Sequence, residues 1–170
     1  EQRSDLDEST RAKLVASREF LEGGGTLITT AQAVSFPIEF GFARTVFTER
    51  PEGVQAQKPL VQAVISDMEH PVFYGFADSI YPMKYGQGPV AFRVGVADED
   101  RVLARYVGGE ESVLSGLMTG AENLAGRAFA VDSRPAHNGG GRVLMFANNP
   151  MYRWQNYGEF NLVFNSILNW

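Results

Sequence analysis

Phe160, Val163, Phe164, Ile167 and Leu168 recur at i, i+3, i+4, i+7 and i+8, a single apolar face at helical period. They predict a helix from about Gly158 to Asn169 that buries this face. A second helix is predicted from about Asp7 to Glu22, with Leu14, Val15, Phe20 and Leu21 on its apolar side. Asp7 is its N-cap, because its carboxylate can accept from the free amides of the first turn. Gly23-Gly24-Gly25 stops that helix, since glycine enters the left-handed region without steric cost. Thr26-Leu27-Ile28-Thr29-Thr30 follows as a strand, so helix, glycine turn and β-branched strand read as the second half of a βαβ unit.

Ala31 to Phe42 carries no single period and admits a helix broken near Pro37. Glu49 to Lys58 reads as a loop and Pro59 to Asp67 as a strand built on Leu60, Val61, Ala63, Val64 and Ile65. Met68 to Pro71 turns, an aromatic stretch Val72 to Phe76 follows, and Tyr81 to Gly88 reads as a loop. Val90 to Val96 and Val102 to Val107 are predicted strands, with Asp98-Glu99-Asp100 as the hairpin loop between them. Leu114 to Leu124 reads as irregular or briefly helical, and Arg127 to Val131 as a strand. Arg134 to Gly141 is a turn region leading into Arg142 to Ala147, whose unbroken apolar run predicts burial on both faces.

The chain has 170 residues, 44% of them hydrophobic, enough for one compact domain. Fifteen Lys and Arg against 20 Asp and Glu give a net charge of −5. No basic block is present, which argues against nucleic acid and anionic membrane surfaces as partners. The absence of cysteine excludes disulfides, thiolate metal sites and a Cys nucleophile, and leaves the redox compartment open. With only His70 and His137, a three-histidine zinc site is excluded. No apolar run reaches the length of a membrane-spanning helix. The polar start, Glu1 to Asp5, lacks both an initiator Met and a signal peptide's apolar core, and is expected to result from processing or excision.

Candidate chemistry is sparse. The glycines at 139–141 precede a strand rather than a helix, which suits a hairpin and not a phosphate cradle. Gly86-Gln87-Gly88 is followed by Pro89, which removes an amide that a phosphate needs. Ser115, in Leu114-Ser115-Gly116, does not fit the Gly-x-Ser-x-Gly elbow. His70 and His137 read as structural or solvated, and a hydrolase pairing either with Ser115 or Asp132 is the third-ranked reading. Asp98, Glu99 and Asp100 have the oxygen chemistry for calcium, but a solvated hairpin tip explains them more simply, as it does Glu110 and Glu111. Aromatic residues cluster at Phe73, Tyr74, Phe76, Tyr81 and Tyr85, and again at Tyr152, Trp154 and Tyr157. Such rings can stack a sugar or an apolar partner, ordinary packing being the plainer alternative. Arg153 between Tyr152 and Trp154 can stack or anchor a carboxylate.

Several segments in order carry a resemblance. They are Phe20-Leu21-Glu22-Gly23-Gly24-Gly25-Thr26-Leu27-Ile28, Glu69-His70-Pro71-Val72-Phe73-Tyr74-Gly75, Ser115-Gly116-Leu117 and Gly120 to Ala128. Gly141 to Phe146, Pro150-Met151-Tyr152-Arg153 and Gly158 to Leu168 complete the set. Together they resemble the C-terminal domain that follows the catalytic domain in a group of bacterial zinc carboxypeptidases. That domain resembles class I glutamine amidotransferases in fold. The resemblance implies a flavodoxin-like α/β domain: a partly parallel central sheet flanked by helices, an antiparallel β insertion, and further strands ahead of the first helix. Residues 1–170 would then be one domain of a longer multidomain protein, periplasmic or secreted. Its expected role is non-catalytic, with the peptidase domain of the same polypeptide as partner and zinc held there. No His-x-x-Glu pair occurs here, so no catalytic, cofactor or metal residue carries over. The missing cysteine excludes amidotransferase chemistry. A sheet cut short at its first strands leaves an open edge, which predicts a homodimer or strand exchange. The alternative function is a carbohydrate- or cell-wall-binding module using Tyr152, Arg153, Trp154 and Tyr157, with His137 as a further binding candidate.

Overall fold

The computed structural model describes residues 6–84, 88–134 and 136–168. Tyr85, Gly86 and Gln87, named above for aromatic stacking and the glycine motif, lie outside the described residues. So does the polar segment Glu1 to Asp5.

Helix α1 (Glu8–Glu22) starts where Asp7 accepts a 2.7 Å hydrogen bond from the Thr10 amide, and it ends at the three glycines. Strand β1 (Thr26–Thr30) follows, then a 3-10 turn at Ala31–Val34 and a short α2 (Ser35–Glu39). Pro37 lies inside α2 without breaking it, because the first turn of a helix lacks internal partners for its amides. The remaining strands are β2 (Val46–Glu49), β3 (Gln55–Val61), β4 (Ala63–Ile65), β5 (Ser79–Ile80), β6 (Ala91–Val94) and β7 (Val102–Tyr106). They continue with β8 (Val113–Thr119), β9 (Ala128–Ser133) and β10 (Arg142–Phe146), and helix α3 (Tyr157–Leu168) closes the described chain.

The central sheet runs β1-β10-β9-β7-β4-β5, with β6 joining β9 at Phe92–Ala128 and β2 pairing β6. Among the described residues only β1 and β10 pair in parallel, from Thr26–Arg142 to Thr30–Phe146; the other pairings are antiparallel. The sheet is thus mixed and mostly antiparallel, less parallel than the sequence suggested. A separate antiparallel ribbon pairs β3 with β8. β9 and β10 are buried almost throughout, and Phe129, Phe146, Phe92, Leu144 and Met145 fill the centre of the core.

Three expectations are corrected. Val90–Val96 and Val102–Val107 do not form a hairpin: β6 pairs β2 and touches β9, while β7 lies between β9 and β4. The acidic stretch between them is a 3-10 turn, Val96–Arg101, and Asp98 is buried rather than solvated. It accepts from the hydroxyls of Thr45 and Ser133, so its carboxylate ties the turn to β9. Leu114 to Leu124, expected to be irregular or briefly helical, is β8 in its first half, and the brief helical turn is confined to Ala121–Leu124. Finally, α3 fully buries only Phe160 of its predicted apolar stripe. Glu159, Phe160, Leu162 and Ser166 face inward, while Phe164, Ile167 and Leu168 are exposed.

Candidate functional site

Because β1 and β10 run parallel, their carboxyl ends open on the same side of the sheet. Crevices outside such strand ends are the usual ligand position in α/β sheets. After Thr30 the chain turns sharply through Ala31, which adopts φ 48°, a left-handed conformation costly for alanine. The Ala31 amide donates to the Asn148 carbonyl at 3.0 Å, which locks the turn against the end of β10. Gly88 presses on the other side: a Cβ there would lie 2.6 Å from the Ala31 carbonyl carbon, so only glycine fits.

Beside this elbow lies an open cleft of about 710 Å³ lined by Gln32, Ser35, Thr48, Glu49, Arg50 and Pro89, among others. A neighbouring depression shares Glu49 and Arg50 and extends to Asn123 and Arg127. Arg127 donates to Oε1 of Glu49, whose Oε2 is buried without a hydrogen-bond partner. Lys84 is buried nearby and donates from Nζ to the carbonyls of Pro89 and Ala147. Burial, reinforced by the Arg50 charge, lowers its pKa to about 8. The cleft has polar and charged groups for binding. At the elbow itself the residue is a methyl-bearing alanine, where a covalent mechanism needs a nucleophile.

Behind the elbow sits a second buried group, Glu159 of α3. Its Oε1 accepts from Asn148 Nδ2, and its Oε2 accepts from Asn156 Nδ2 and from the Met83 amide at 3.3 Å. Burial pushes this carboxyl up to about 7, against the opposing pull of those three donors. The same environment raises the pKa of the Tyr106 hydroxyl, through burial first and the Glu159 charge second.

His70 and Asp132 meet at the other end of β10. The Val72 amide donates to His70 Nδ1, which leaves Nε2 to donate to Asp132 Oδ2 at 3.2 Å. Arg134 also donates to that oxygen, with its Nε at 2.7 Å, and Arg142 Nη1 stands 3.8 Å away. Burial alone would raise the Asp132 carboxyl. The hydrogen bonds from His70 and Arg134, with the Arg134 charge, outweigh it, and the net shift is downward. Both members of the pair are buried. Ser115, the serine proposed for such a pair, lies on exposed β8 in the separate ribbon. The structure therefore supplies the His–Asp pair without bringing Ser115 to it.

The aromatic candidates come together on the segment between β10 and α3. Tyr152–Trp154 form a 3-10 turn in which Arg153 and Trp154 both have positive φ, 51° and 56°. Arg153 lies over the Tyr152 ring, 5.2 Å from its centroid. Trp154 and Tyr157 both contact Phe160 and remain 66% and 69% exposed. His137 is not part of this group. It precedes β10, at the opposite end of that strand, and its Nε2 donates to the Gly41 carbonyl at 2.6 Å. Glu110 and Glu111 are exposed, as expected of solvated charges. No group of three or more His, Asp or Glu able to hold a metal occurs among the described residues.

Ala31, Lys84, Asn148 and Glu159 were not legible as site residues in the sequence. Ala31 carries no chemistry by residue type, and its strain is visible only in φ. Glu159 left one signal: a carboxylate within an otherwise uncharged, largely apolar segment from Tyr157 to Leu168.

No protein-family model matches the chain, and no curated protein does. Solved structures do resemble it. PurLQS from Thermotoga maritima matches with a TM-score of 0.60 at 16% identity, over 92% of this chain and 66% of that one. A β-galactosidase from Bacillus circulans sp. alkalophilus matches with a TM-score of 0.56 at 15% identity, over 90% of this chain and 20% of that one. A cytoplasmic protein from Salmonella typhimurium LT2 matches with a TM-score of 0.56 at 14% identity, over 92% of this chain and 59% of that one. The chain thus spans less than two thirds of each of these proteins. At such identities the likeness is one of fold: a glutamine amidotransferase-like α/β domain, flavodoxin-like in type.

Proposed function

We propose that this chain is a non-catalytic accessory domain of a longer bacterial zinc carboxypeptidase, periplasmic or secreted. Proteolysis and zinc would reside in a separate catalytic domain of the same polypeptide. The observation that carries the reading is Ala31. The chain turns through a strained strand-to-helix elbow after β1, and the residue at its apex cannot attack a carbonyl. The ordered sequence segments that resemble the carboxypeptidase tail support the parent's identity. The occurrence of this fold as a fifth of a larger enzyme chain supports its role as a module. In that role the domain docks on the catalytic domain, stabilises it, or shapes access to its substrate.

The test is the intact mass of the natural protein recovered with an antibody to this chain. A mass far above 18.7 kDa is expected, with zinc and carboxypeptidase activity in the longer protein and none in the 170-residue chain. A mass near 18.7 kDa, or peptidase activity in the chain alone, refutes the reading.

Exposure of Trp154 on a left-handed turn and of Tyr157 at the start of α3 favours a second reading, a carbohydrate- or cell-wall-binding module. Glycan titration should then give a saturable change in tryptophan fluorescence that Trp154→Phe removes. A flat response across a broad glycan panel would end this reading.

A further inference from the structure

We propose that the cavity between β5 and the start of α3 is a binding site for a small primary amine with an apolar body, its ammonium held by Glu159. The site goes beyond the accessory-domain reading and does not depend on a peptidase parent.

The cavity holds about 260 Å³ and lies beside β5, the strand that ends the sheet path opposite β1. It shares no lining residue with the cleft at the elbow. Phe76, Ile80 and Tyr81 supply one wall, and Asn156, Gly158 and Glu159 supply the other. Asn156 Nδ2 donates to the Tyr81 carbonyl at 3.4 Å, which ties the two walls together. At about 30 Å³ for each non-hydrogen atom, the space takes a molecule of roughly nine such atoms.

Glu159 is 3% exposed and yet lines this space. A buried carboxylate is ordinarily paired with a cation. Among the described residues Glu159 forms no ion pair; its hydrogen-bond partners are the neutral amides of Asn148, Asn156 and Met83. Oε2 accepts twice and Oε1 once. A carboxylate has about four acceptor positions, so one remains on Oε1. Beside it, Oδ1 of Asn148 is buried without a hydrogen-bond partner. The site thus lacks donors and positive charge.

A primary ammonium brings both, through its charge and three N–H groups. An anion would be repelled by Glu159, and a neutral hydroxyl brings one proton and no charge. The rings of Phe76 and Tyr81 suit the apolar body and the flank of a cation. Two other titratable groups stand near Glu159. The Tyr106 hydroxyl on β7 feels its charge and stays neutral, its pKa being raised. Lys84 follows Met83 and turns its amine to the carbonyls of Pro89 and Ala147. α3 itself carries no other Asp, Glu, Lys or Arg.

The experiment is calorimetric titration of the natural full-length protein with phenethylamine, a cation at both pH 6 and pH 8. Phenylethanol and phenylacetate are its neutral and anionic counterparts. At pH 8 the amine should bind saturably, about tenfold or more tighter than either counterpart. The Glu159 carboxyl stands at about 7 in the empty site, so lowering the pH to 6 should weaken the amine about tenfold and leave the alcohol unchanged. Glu159→Gln keeps the shape of the side chain and should reduce the amine to the affinity of the alcohol. Gly158→Leu tests the space independently of the charge. Gly158 is exposed, and a Cβ there meets only Asn156 Oδ1, at 3.7 Å, so a side chain is accommodated at the mouth of the cavity and should abolish binding. No saturable binding of the amine at pH 8 overturns the proposal. So does equal affinity for amine and alcohol, an affinity unchanged between pH 8 and pH 6, or binding that Gly158→Leu leaves intact. Zinc and peptidase assays on the same sample report on the parent enzyme alone, and neither result decides the other.

Discussion

Gly141 shows how single residues hold the layers together. A Cβ at this position would lie 2.1 Å from the Leu21 carbonyl oxygen, so α1 and the entrance to β10 approach closely only over glycine. Gly141→Ala should cost about 1–3 kcal/mol, read as a lower denaturation midpoint. Asp98 works through hydrogen bonds instead. Asp98→Ala strips the Thr45 and Ser133 hydroxyls of their shared acceptor and should cost about 1–3 kcal/mol in denaturant unfolding. Glu159 makes stability depend on pH. Its carboxyl rises from 4.5 to about 7 on folding, so between those values the folded chain holds a proton that the unfolded chain releases. Its contribution is complete below pH 4.5 and is lost as pH rises through 7, on the order of 3 kcal/mol in all. The thermal midpoint should therefore fall between pH 5 and pH 8, and Glu159→Gln should flatten that slope.

At the scale of elements, α3 is the instructive case. Periodicity alone orients it with Phe164, Ile167 and Leu168 inward, yet the helix docks through polar anchors. Asn165 donates to the carbonyls of Val72 and Tyr74 at 2.9 and 2.8 Å, and Glu159 accepts from Asn148, Asn156 and Met83. Buried polar groups need specific partners, whereas apolar contact is non-directional, so the partners set the rotation of the helix. Leu162, between the anchors, is fully buried. Leu162→Ala should cost about 2–5 kcal/mol in denaturant unfolding, while Ile167→Ser should stay within about 0.5 kcal/mol. The opposite ranking would mean that the helix is rotated. The missed hairpin has a related cause: β6 and β7 each find partners distant in sequence, which no turn between them announces.

Across the whole molecule the two sheets differ in how firmly they are held. β9 is buried along its length and flanked by β10 and β7, whereas β8, among the described residues, pairs only with β3 and is mostly exposed. Amides of Val113–Thr119 should exchange well before those of Ala128–Ser133, because opening the ribbon exposes little apolar surface. Simultaneous exchange of both segments would make the ribbon part of one cooperative unit with the main sheet. The same layout divides the chemistry. The elbow, Lys84 and Glu159 gather toward the carboxyl ends of β1 and β10, and His70, Asp132 and Arg142 gather at the opposite end.

What the sequence determined by itself is local. Asp7 and the three glycines bound α1, the β-branched run sets β1, and the unbroken apolar stretch of β10 requires burial on both faces. Each follows from backbone preference or from burial within a few consecutive residues. Exclusions by composition are equally local: without cysteine there is no thiol chemistry, wherever the residues lie. Tertiary structure alone decided the strand partners of β6 and β7, the burial of Asp98, the inward face of α3 and the strained elbow at Ala31. All of these depend on groups far apart in the chain that must satisfy one another's hydrogen bonds once water is excluded. That pairing is a property of proximity in space, which spacing along the sequence does not encode.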